Sequence, residues 1–397
     1  MYQAVHSDRS GRVFVSADYG ATARDGALPV ALDRAIPLPD GAQLVPLPDR
    51  AAMGLDRRAE PRSLGPTRWA LSAILPAGYV RTHIPSIEAE RDAAPLDPLP
   101  YAAVAADARG ELVAAAVQLH TPAVTPIDEV GATITGRLRS EPSNRLLRQL
   151  ARCAREYRCA AAGNAFLGAG ECALPLGAPA NDQAAPQVAL RRLLERAPLD
   201  PVSFKASPAD VAAVAISHLE AGGSSVSFGR ACEGEPLELI RDLVKVIGLI
   251  RAAVTTGEIV LRTSGASAIA LGRAAEAGVD RVVVRIASAD GQTYERVHRP
   301  VGFRWTDVRA ALREAAARGL AITIELLSLP GLTDRETEVA ALVALLGELR
   351  RGTELRLADL AADPYALLAR IPGGPSIGIA AMLDRLRADA AHVRLAA

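Results

Sequence analysis

Aromatic residues and cysteines are scarce in this sequence of 397 residues, and neither sign of charge is in excess. Only 4% of the residues are aromatic although 50% are hydrophobic, so the core must be built mainly from Ala, Val, Leu and Ile. Such residues suit the layer between a sheet and amphipathic helices. The length is about twice that of a usual single domain, which predicts two structural parts and a tail.

The balance of charge argues against two classes of partner. The chain carries 45 Lys and Arg against 45 Asp and Glu, so no global field draws it to nucleic acid or to an anionic membrane. Residues 1–8 contain neither the basic nor the apolar segment of a secretory leader. No uncharged apolar run reaches the roughly 18 residues that span a bilayer. We therefore expect a cytoplasmic protein without nucleic-acid or membrane partners.

The few cysteines are Cys153, Cys159, Cys172 and Cys232. Four are too few for a disulfide scaffold in a chain of this length, so buried or unreactive thiols in a reducing compartment are expected. A Gly-x-x-x-x-Gly-Lys element is absent too, so a P-loop function has no support.

Short apolar runs cut by Pro, Gly and Asp fill residues 12–120 and predict a β-rich domain over residues 1–120. The clearest predicted strands are 12–15, 42–47 and 69–75. Residues 101–106 and 111–119 flank 107–110, which predicts a hairpin with Gly110 at positive φ.

A helical connector is predicted over residues 121–174, because apolar residues recur at helical spacing, most clearly over 144–154. After Pro208, strand-like runs alternate with amphipathic segments. The predicted strands are 225–228, 258–261, 281–286, 321–327 and 354–357, and the predicted helices are 208–221, 237–253, 267–277, 305–318 and 334–350. This alternation predicts βα units on a parallel sheet, either barrel-like or doubly wound. A tail over 358–397 is expected to add a helix near 376–387.

In a barrel, the chemistry lies on the loops after the strands. These loops are 229–236, 263–267, 287–300 and 328–334. In the first of them, Gly234 stands between Glu233 and Glu235 and before Pro236. Backbone carbonyls and a carboxylate could face a cation there, such as the ammonium group of a ligand. The alternative, which these residues alone favour, is an acidic helix start that complements the helix dipole.

The stretch 227–237 resembles the Gly-Gly-Glu-Pro element that follows the second strand in radical SAM proteins, and most of the chain resembles an uncharacterised radical SAM family. Further similar segments keep the same order; they are 78–80, 146–154, 299–303 and 330–336. The resemblance implies an α/β fold, with a partial (β/α)6 TIM-like barrel of radical SAM type over residues 175–357 behind the β-rich domain.

The resemblance also implies a site for S-adenosylmethionine (SAM). By analogy, the loop residues Glu233, Gly234, Glu235 and Pro236 would meet the methionyl ammonium of SAM. Ser264 and Arg285 lie where the family contacts the ribose and the carboxylate. SAM is therefore a candidate cofactor.

The sequence departs from the family at the iron–sulfur cluster. Radical SAM enzymes hold a [4Fe–4S] cluster through three cysteines in a Cys-x3-Cys-x2-Cys loop, and thiolate ligation is what such a cluster requires. The alignment of 179–181 with the family's Pro-Cys-Asn places the three positions at Ala180, Ala184 and Gln187, while Asn181 and Leu190 still fit the pattern. Alanine has no lone pair and a Gln amide is a poor ligand for iron. No [4Fe–4S] cluster and no metal ligand are expected, and no catalytic residue is assigned.

The leading hypothesis is a pseudoenzyme with a scaffold, regulatory or small-molecule-binding role. One alternative is an active SAM-dependent enzyme, with a cluster relocated to the four cysteines or with non-radical chemistry. Another is the inactive partner of an intact paralogue. Other candidates have structural interpretations: His298 is expected to be partly exposed and without a role, His120 and His218 to be structural, and Thr333 with Glu336 to cap the following helix.

Overall fold

A large antiparallel sheet, a small two-stranded sheet and a parallel sheet organise the described part of the chain. The computed structural model describes residues 2–26, 28–119, 130–184, 202–230, 232–349 and 351–396. An antiparallel sheet occupies the amino-terminal part, and a parallel sheet with its helices occupies the carboxyl-terminal part. The protein therefore has the mixed α/β class that its sequence predicts.

The antiparallel part is built from thirteen short or bent strands within the described residues. They are β1 (Gln3–Ser7), β2 (Val13–Asp25), β3 (Leu28–Ala31), β4 (Ile36–Pro37), β5 (Gln43–Leu55), β6 (Pro61–Ser63), β7 (Trp69–Ile74), β8 (Tyr79–Arg81), β9 (Ile84–Pro85), β10 (Ile87–Ala89), β11 (Tyr101–Ala106), β12 (Leu112–Ala114) and β13 (Ala116–Gln118). Strands β8 and β13 pair with each other, and the other strands share one sheet. The predicted hairpin is confirmed, since Ala106 pairs with Leu112 and Gly110 has a φ of +83°.

Alanine fills the interior of this sheet. All six residues of β11 are buried, and Ala103 and Ala105 pack with Ala21, Ala23 and Val113. Small side chains let the strands pack closely without large aromatic residues, which agrees with the low aromatic content of the sequence.

Three helices follow the antiparallel part: α1 (Val130–Ser140), α2 (Arg145–Glu156) and α3 (Ala160–Leu167). The helix predicted over 144–154 is confirmed by α2, which begins after Asn144 because that side chain accepts the N–H of Leu147 at 3.0 Å. Its buried face includes Leu146, Leu147 and Leu150. His120 and the start of the predicted connector, residues 121–129, lie outside the described residues.

The parallel sheet runs in chain order from β14 to β20. Its strands are β14 (Glu171–Ala173), β15 (Ser225–Phe228), β16 (Glu258–Thr263), β17 (Arg281–Ile286), β18 (Ala321–Ser328), β19 (Glu354–Asp359) and β20 (Arg394–Ala396). The helices are α4 (Pro208–Glu220), α5 (Ile240–Ala253), α6 (Ala268–Ala277), α7 (Gly291–His298), α8 (Trp305–Ala317), α9 (Glu336–Gly347), α10 (Pro364–Leu368) and α11 (Ile379–Asp389), and a 3-10 helix spans Pro236–Leu239. The sheet reaches beyond the predicted limits 175 and 357, because β14 and β20 lie outside them. The closure of these units into a partial barrel stays a prediction.

One face of the parallel sheet packs against helices. Alternate strand residues such as Leu261, Val284 and Ile324 are fully buried together with Val308 of α8 and Ile247 of α5. Full burial of each such side chain contributes about 1.5–3 kcal/mol. Among the helices described, none is long and apolar enough to cross a bilayer.

The sequence prediction failed in two loops. The predicted loop 287–300 contains α7, which Asp290 caps by accepting the N–H of Thr293 at 2.9 Å. This helix has only eight residues, with too few apolar positions to show a helical period. The predicted Thr333 cap is also wrong, because α9 begins at Glu336 and the Thr333 hydroxyl donates instead to the carbonyl of Leu329 at 3.2 Å.

A buried arginine joins the two parts. Arg81 of β8 is fully buried and donates to the carbonyl of Leu360 at 2.7 Å, while its Nε lies 3.6 Å from the carboxylate of Asp359. Burial raises the pKa of Asp359 to about 6, although Arg81 acts in the opposite direction. Strand β8 of the amino-terminal part therefore contacts the carboxyl end of β19, where the parallel sheet has its loops.

Candidate ligand site at the carboxyl ends of the parallel strands

The loop after β15 is held against the segment after β14 by its own backbone. Gly234 donates to the carbonyl of Ala178 at 2.8 Å, and Glu235 donates to that of Pro179 at 2.8 Å. A Cβ on Gly234 would lie 2.0 Å from the carbonyl carbon of Pro179. Gly229 begins the loop with a φ of +80°, and a Cβ there would lie 1.9 Å from the carbonyl oxygen of Arg262. Glycine is thus required at both positions.

The carboxylate of Glu233 forms hydrogen bonds within the protein. It is buried and accepts the N–H of Leu176 and the N–H of Gly229, each at 2.7 Å. Burial raises the pKa of Glu233 to about 7, against the opposing effect of these backbone donors. Glu233 therefore connects its loop to the segment after β14, because its two oxygens accept the backbone N–H groups of Leu176 and Gly229.

Glu235 connects the same loop to the end of β16. Its carboxylate accepts the hydroxyl of Thr263 at 2.7 Å and the backbone N–H of Ser264 at 2.6 Å. It also accepts the N–H of Leu237 and so caps the 3-10 helix that Pro236 begins. Burial raises the pKa of Glu235. Glu235 and Pro236 thus begin a short helix, which is the structural interpretation that the sequence offered for this loop.

A small cavity lies where these loops meet. It has a volume of about 10 Å³ and is lined by Ala180, Asn181, Asp182, Gly229, Gly234, Glu235, Arg262, Thr263, Ser264 and Arg285. A cavity of this size has room for about one water molecule. Four of the predicted site residues line it, namely Gly234, Glu235, Ser264 and Arg285. Glu233 and Pro236 are not among its lining residues.

The structure places one of the predicted cluster positions, Ala180, beside this cavity, and its methyl side chain offers no ligand atom. Ala180 is in the cavity wall, Ala184 is half-buried nearby along the chain, and Gln187 and Leu190 lie outside the described residues. Among the residues that the structure describes, no three His, Cys, Asp or Glu side chains converge to hold a metal. The side chains of Ala180 and Ala184 supply no ligand atom for a [4Fe–4S] cluster.

The existing thiols lie elsewhere. Cys172 is fully buried in β14 and Cys232 lies in the loop after β15, and burial raises the pKa of both thiols. Because the thiolate is the form that binds iron, a raised pKa opposes metal ligation. The alternative with a relocated cluster is therefore not favoured.

His298 is buried, which corrects the expectation of a partly exposed side chain. It ends α7 and stacks on Tyr294, one turn earlier, at a ring-centroid distance of 4.1 Å. Its Nε2 accepts the N–H of Ala287 at 2.9 Å, so the ring proton is on Nδ1, which lies 3.5 Å from the carboxylate of Asp182. Nε2 is thus engaged with the backbone, and Nδ1 has no hydrogen-bond partner among the described residues.

His218 has the structural role that was expected. It is buried and its ring nitrogens lie 2.9 Å from the carbonyl of Asn164 and 3.1 Å from that of Ser225.

The second face of the parallel sheet carries charged residues beside apolar ones such as Val260 and Val283. Strand register places Arg262, Arg285, Glu325 and Arg356 on this face, the first three in the carboxyl halves of their strands. Arg285 donates to Glu325 at 3.0 Å, and Glu171 of β14 accepts from Arg230 at 2.8 Å. Burial would raise the pKa of Glu171, but Arg230 and Arg262 outweigh it and hold that pKa at about 2.

Sequence reasoning missed most of this charged face. Arg262 and Arg285 each follow three apolar residues of their strand, and Glu325 follows Ile322, Thr323 and Ile324. A charged residue at the carboxyl end of a buried strand is a signal that could have found them, because such strands are usually apolar throughout.

A larger cavity of about 740 Å³ lies beyond the ends of β17 and β19. Its walls come from the loop of the antiparallel part that contains Leu96, from Gln183 in the segment after β14, and from the regions of helix α7 and helix α10. None of the predicted site residues lines it. Its volume is typical of a small-molecule pocket.

No protein-family model matches this chain, and no curated protein matches it. Similar solved structures include a radical SAM methyltransferase from Sphaerobacter thermophilus, with 15% identity over 57% of this chain and 66% of that chain and a TM-score of 0.39. The FeFe-hydrogenase maturase HydG from Carboxydothermus hydrogenoformans has 15% identity over 68% of this chain and 69% of its own, with a TM-score of 0.42.

A third similar structure is the radical S-adenosylmethionine methyltransferase TsrM from Kitasatospora setae, with tryptophan substrate and a SAM analogue bound. It has 15% identity over 48% of this chain and 36% of its own, with a TM-score of 0.35. The chain thus spans about two thirds of the length of the first two proteins and about one third of TsrM. Each of these three is a structure to which part of this chain is similar.

Proposed function

We propose that this protein is a radical SAM-like protein without iron–sulfur chemistry that binds a small molecule at the carboxyl ends of its parallel strands. The observation that carries the proposal is the position of Ala180. It lies in the wall of the cavity that Glu235, Ser264 and Arg285 also line, and the family resemblance assigns a cluster cysteine to it. A methyl group there offers iron no ligand.

The charged face supports a binding role over a purely structural one. Half-buried ion pairs add little net stability compared with well-packed apolar residues, so a sheet face that served only the core would be apolar. Here the side chains of Arg285 and Glu325 are 16% and 17% exposed and remain polar. Burial would raise the pKa of Glu325, but Arg285 and Arg262 outweigh it and lower that pKa. Groups with a perturbed pKa are typical of functional sites.

SAM is the first ligand to test, although the present geometry leaves little room for it. The cavity beside Glu235 holds about one water molecule, and the backbone bonds from Gly234 and Glu235 to residues 178–179 keep it closed. We therefore expect SAM to bind weakly, and its binding would require these two segments to separate.

The deciding experiment is anaerobic reconstitution with iron and sulfide. The matched control is a variant with the three positions restored, Ala180→Cys/Ala184→Cys/Gln187→Cys. The unaltered protein is expected to bind no iron above background, while the restored variant is expected to approach four irons per chain with thiolate charge-transfer absorption. About four irons in the unaltered protein would disprove the proposal. Calorimetric titration of SAM into the same preparation then measures whether the pocket accepts it.

A further inference from the structure

The cavity of about 740 Å³ beyond the ends of β17 and β19 has far more room than the cavity of about 10 Å³ beside Glu235. Its walls come from both parts of the chain, and ligand sites are common at such boundaries between domains. A volume of this order accommodates a molecule of the size of a drug or a cofactor. The small molecule of the proposed function therefore fits the larger cavity and not the smaller one.

Hydrogen bonds between the walls fix the shape of the larger cavity. The carboxylate of Asp363, just before α10, accepts the N–H of Leu96 from the antiparallel part at 2.8 Å. The N–H of Gln183 donates to the carbonyl of His298 at the end of α7, at 2.6 Å. The protein's own bonds thus hold the walls in place, which reduces the entropy lost when a ligand binds.

More than half of the residues that line this cavity are apolar. The largest of these side chains are Leu96 from the antiparallel part, Val297 of α7 and Leu367 of α10. Leu96 and Leu367 are only half-buried, so both leave apolar surface in contact with water. A ligand with an apolar body would remove that surface from water, which is favourable.

Three arginines that line the cavity form no ion pair with another described residue. They are Arg296 and Arg299 at the end of α7 and Arg370 after α10, and all three are exposed. Two carboxylates line the cavity as well. Both oxygens of Asp363 already accept backbone N–H groups, while Glu295 forms no ion pair with a described residue. With both carboxylates counted, one positive charge is in excess among the lining residues.

We infer that the larger cavity binds an amphipathic organic anion, a molecule with an apolar body and one carboxylate, sulfonate or phosphate group. The inference rests on the proposed function, because it names the cavity and the chemical class of the ligand. The apolar body packs against Leu96, Val297 and Leu367, and the anionic group accepts hydrogen bonds from the arginines at the end of α7 and after α10. A guanidinium group presents two parallel donors to such an anion, and these charge-assisted bonds are stronger than neutral ones.

Two fluorescent dyes test the charge of the ligand. Anilinonaphthalene sulfonate has one sulfonate on an apolar ring system, and phenylnaphthylamine has the same rings without the sulfonate. The expected result is saturable binding of one sulfonate dye per chain, with an affinity about tenfold or more above that of the uncharged dye, since a hydrogen bond to a charged group is lost without the sulfonate. Equal affinities of the two dyes, or no saturable binding of the sulfonate dye, would overturn the inference.

Displacement of the sulfonate dye tests the apolar body. Sodium octanoate combines a carboxylate with an apolar chain, and sodium acetate has the same carboxylate without the chain. Octanoate is expected to displace the dye at concentrations at which acetate does not, because only octanoate covers the apolar wall. Displacement by acetate as effective as that by octanoate would contradict an amphipathic ligand.

Arg299→Gly connects the binding to the arginines of the cavity. Arg299 has a φ of +46° and an exposed side chain, so glycine fits this backbone conformation and removes no buried contact. We expect an unfolding temperature close to that of the unaltered protein and an affinity for the sulfonate dye that is about tenfold lower. Arg370→Gln is expected to weaken dye binding as well.

The matched control is Arg158→Gly. Arg158 is also exposed and has a φ of +50°, but it does not line the cavity. Its replacement should leave the affinity for the dye unchanged. An unchanged affinity in both Arg299→Gly and Arg370→Gln, or an equal loss in Arg158→Gly, would overturn the inference.

The inference and the proposed function fail in different ways. Recovery of a native iron–sulfur cluster disproves the proposed function, whatever the dyes do. Equal affinities of the two dyes overturn the inference and leave the proposed function standing with an uncharged ligand.

Discussion

Gly234→Ala should break the junction between the loop after β15 and the segment that carries Ala180. The new Cβ would lie 2.0 Å from both the carbonyl carbon and the oxygen of Pro179 and 2.2 Å from the nitrogen of Ala180, so a backbone segment must move. Movement costs about 1–3 kcal/mol of overpacking strain. It also weakens the two backbone hydrogen bonds from Gly234 and Glu235, each worth about 0.5–1.5 kcal/mol net. We expect a loss of about 2–6 kcal/mol in the free energy of unfolding of the parallel part.

Tryptophan fluorescence during urea unfolding can measure this loss in the correct part of the chain. The protein has two tryptophans, Trp69 in β7 and Trp305 in α8, so a Trp69→Phe background reports the parallel part alone. Gly248→Ala is the matched control, because Gly248 lies within α5 and its Cβ would contact nothing within 4 Å. It is expected to stabilise by about 0.5–1 kcal/mol. A Gly234→Ala protein as stable as its parent would refute the reasoning.

Three further predictions concern buried polar groups. The pKa of Glu233 rises from 4.5 in the unfolded chain to about 7 in the folded protein. Between these pH values the folded protein therefore binds a proton that the unfolded chain has released. The free energy of unfolding should fall by about 3 kcal/mol as pH rises from 4.5 to 7. Urea unfolding at several pH values should show that the free energy of unfolding depends less on pH in Glu233→Gln than in the unaltered protein. Arg81→Met should destabilise the protein by about 3–5 kcal/mol, because it leaves Asp359 without its buried partner, and adding Asp359→Asn should recover part of the loss in the same assay. Cys172, fully buried with a raised thiol pKa, should resist iodoacetamide in native protein and react after unfolding in urea, as followed by peptide mass spectrometry; rapid native labelling would contradict this burial.

The sequence was most informative where a pattern repeats along the chain. The strands at Ser225–Phe228 and Arg281–Ile286 agree with their predicted limits, because buried parallel strands have an apolar run between polar ends. The hairpin at Gly110 was predictable for a local reason, since a residue at positive φ favours glycine. Helix α7 escaped prediction because its eight residues contain too few apolar positions to show a period.

The sequence by itself determined the α/β class, most helices and strands of the parallel part, and the absence of thiols at Ala180, Ala184 and Gln187. Only the tertiary structure decided what the polar residues do. It placed both oxygens of Glu233 on backbone donors, buried His298 against Asp182, and gathered Arg262 with Glu171 from a strand 91 positions away in the chain. Those roles depend on which strand ends meet in space. A local pattern of residues cannot specify that, because it records neither the distance between segments nor the burial of a charge.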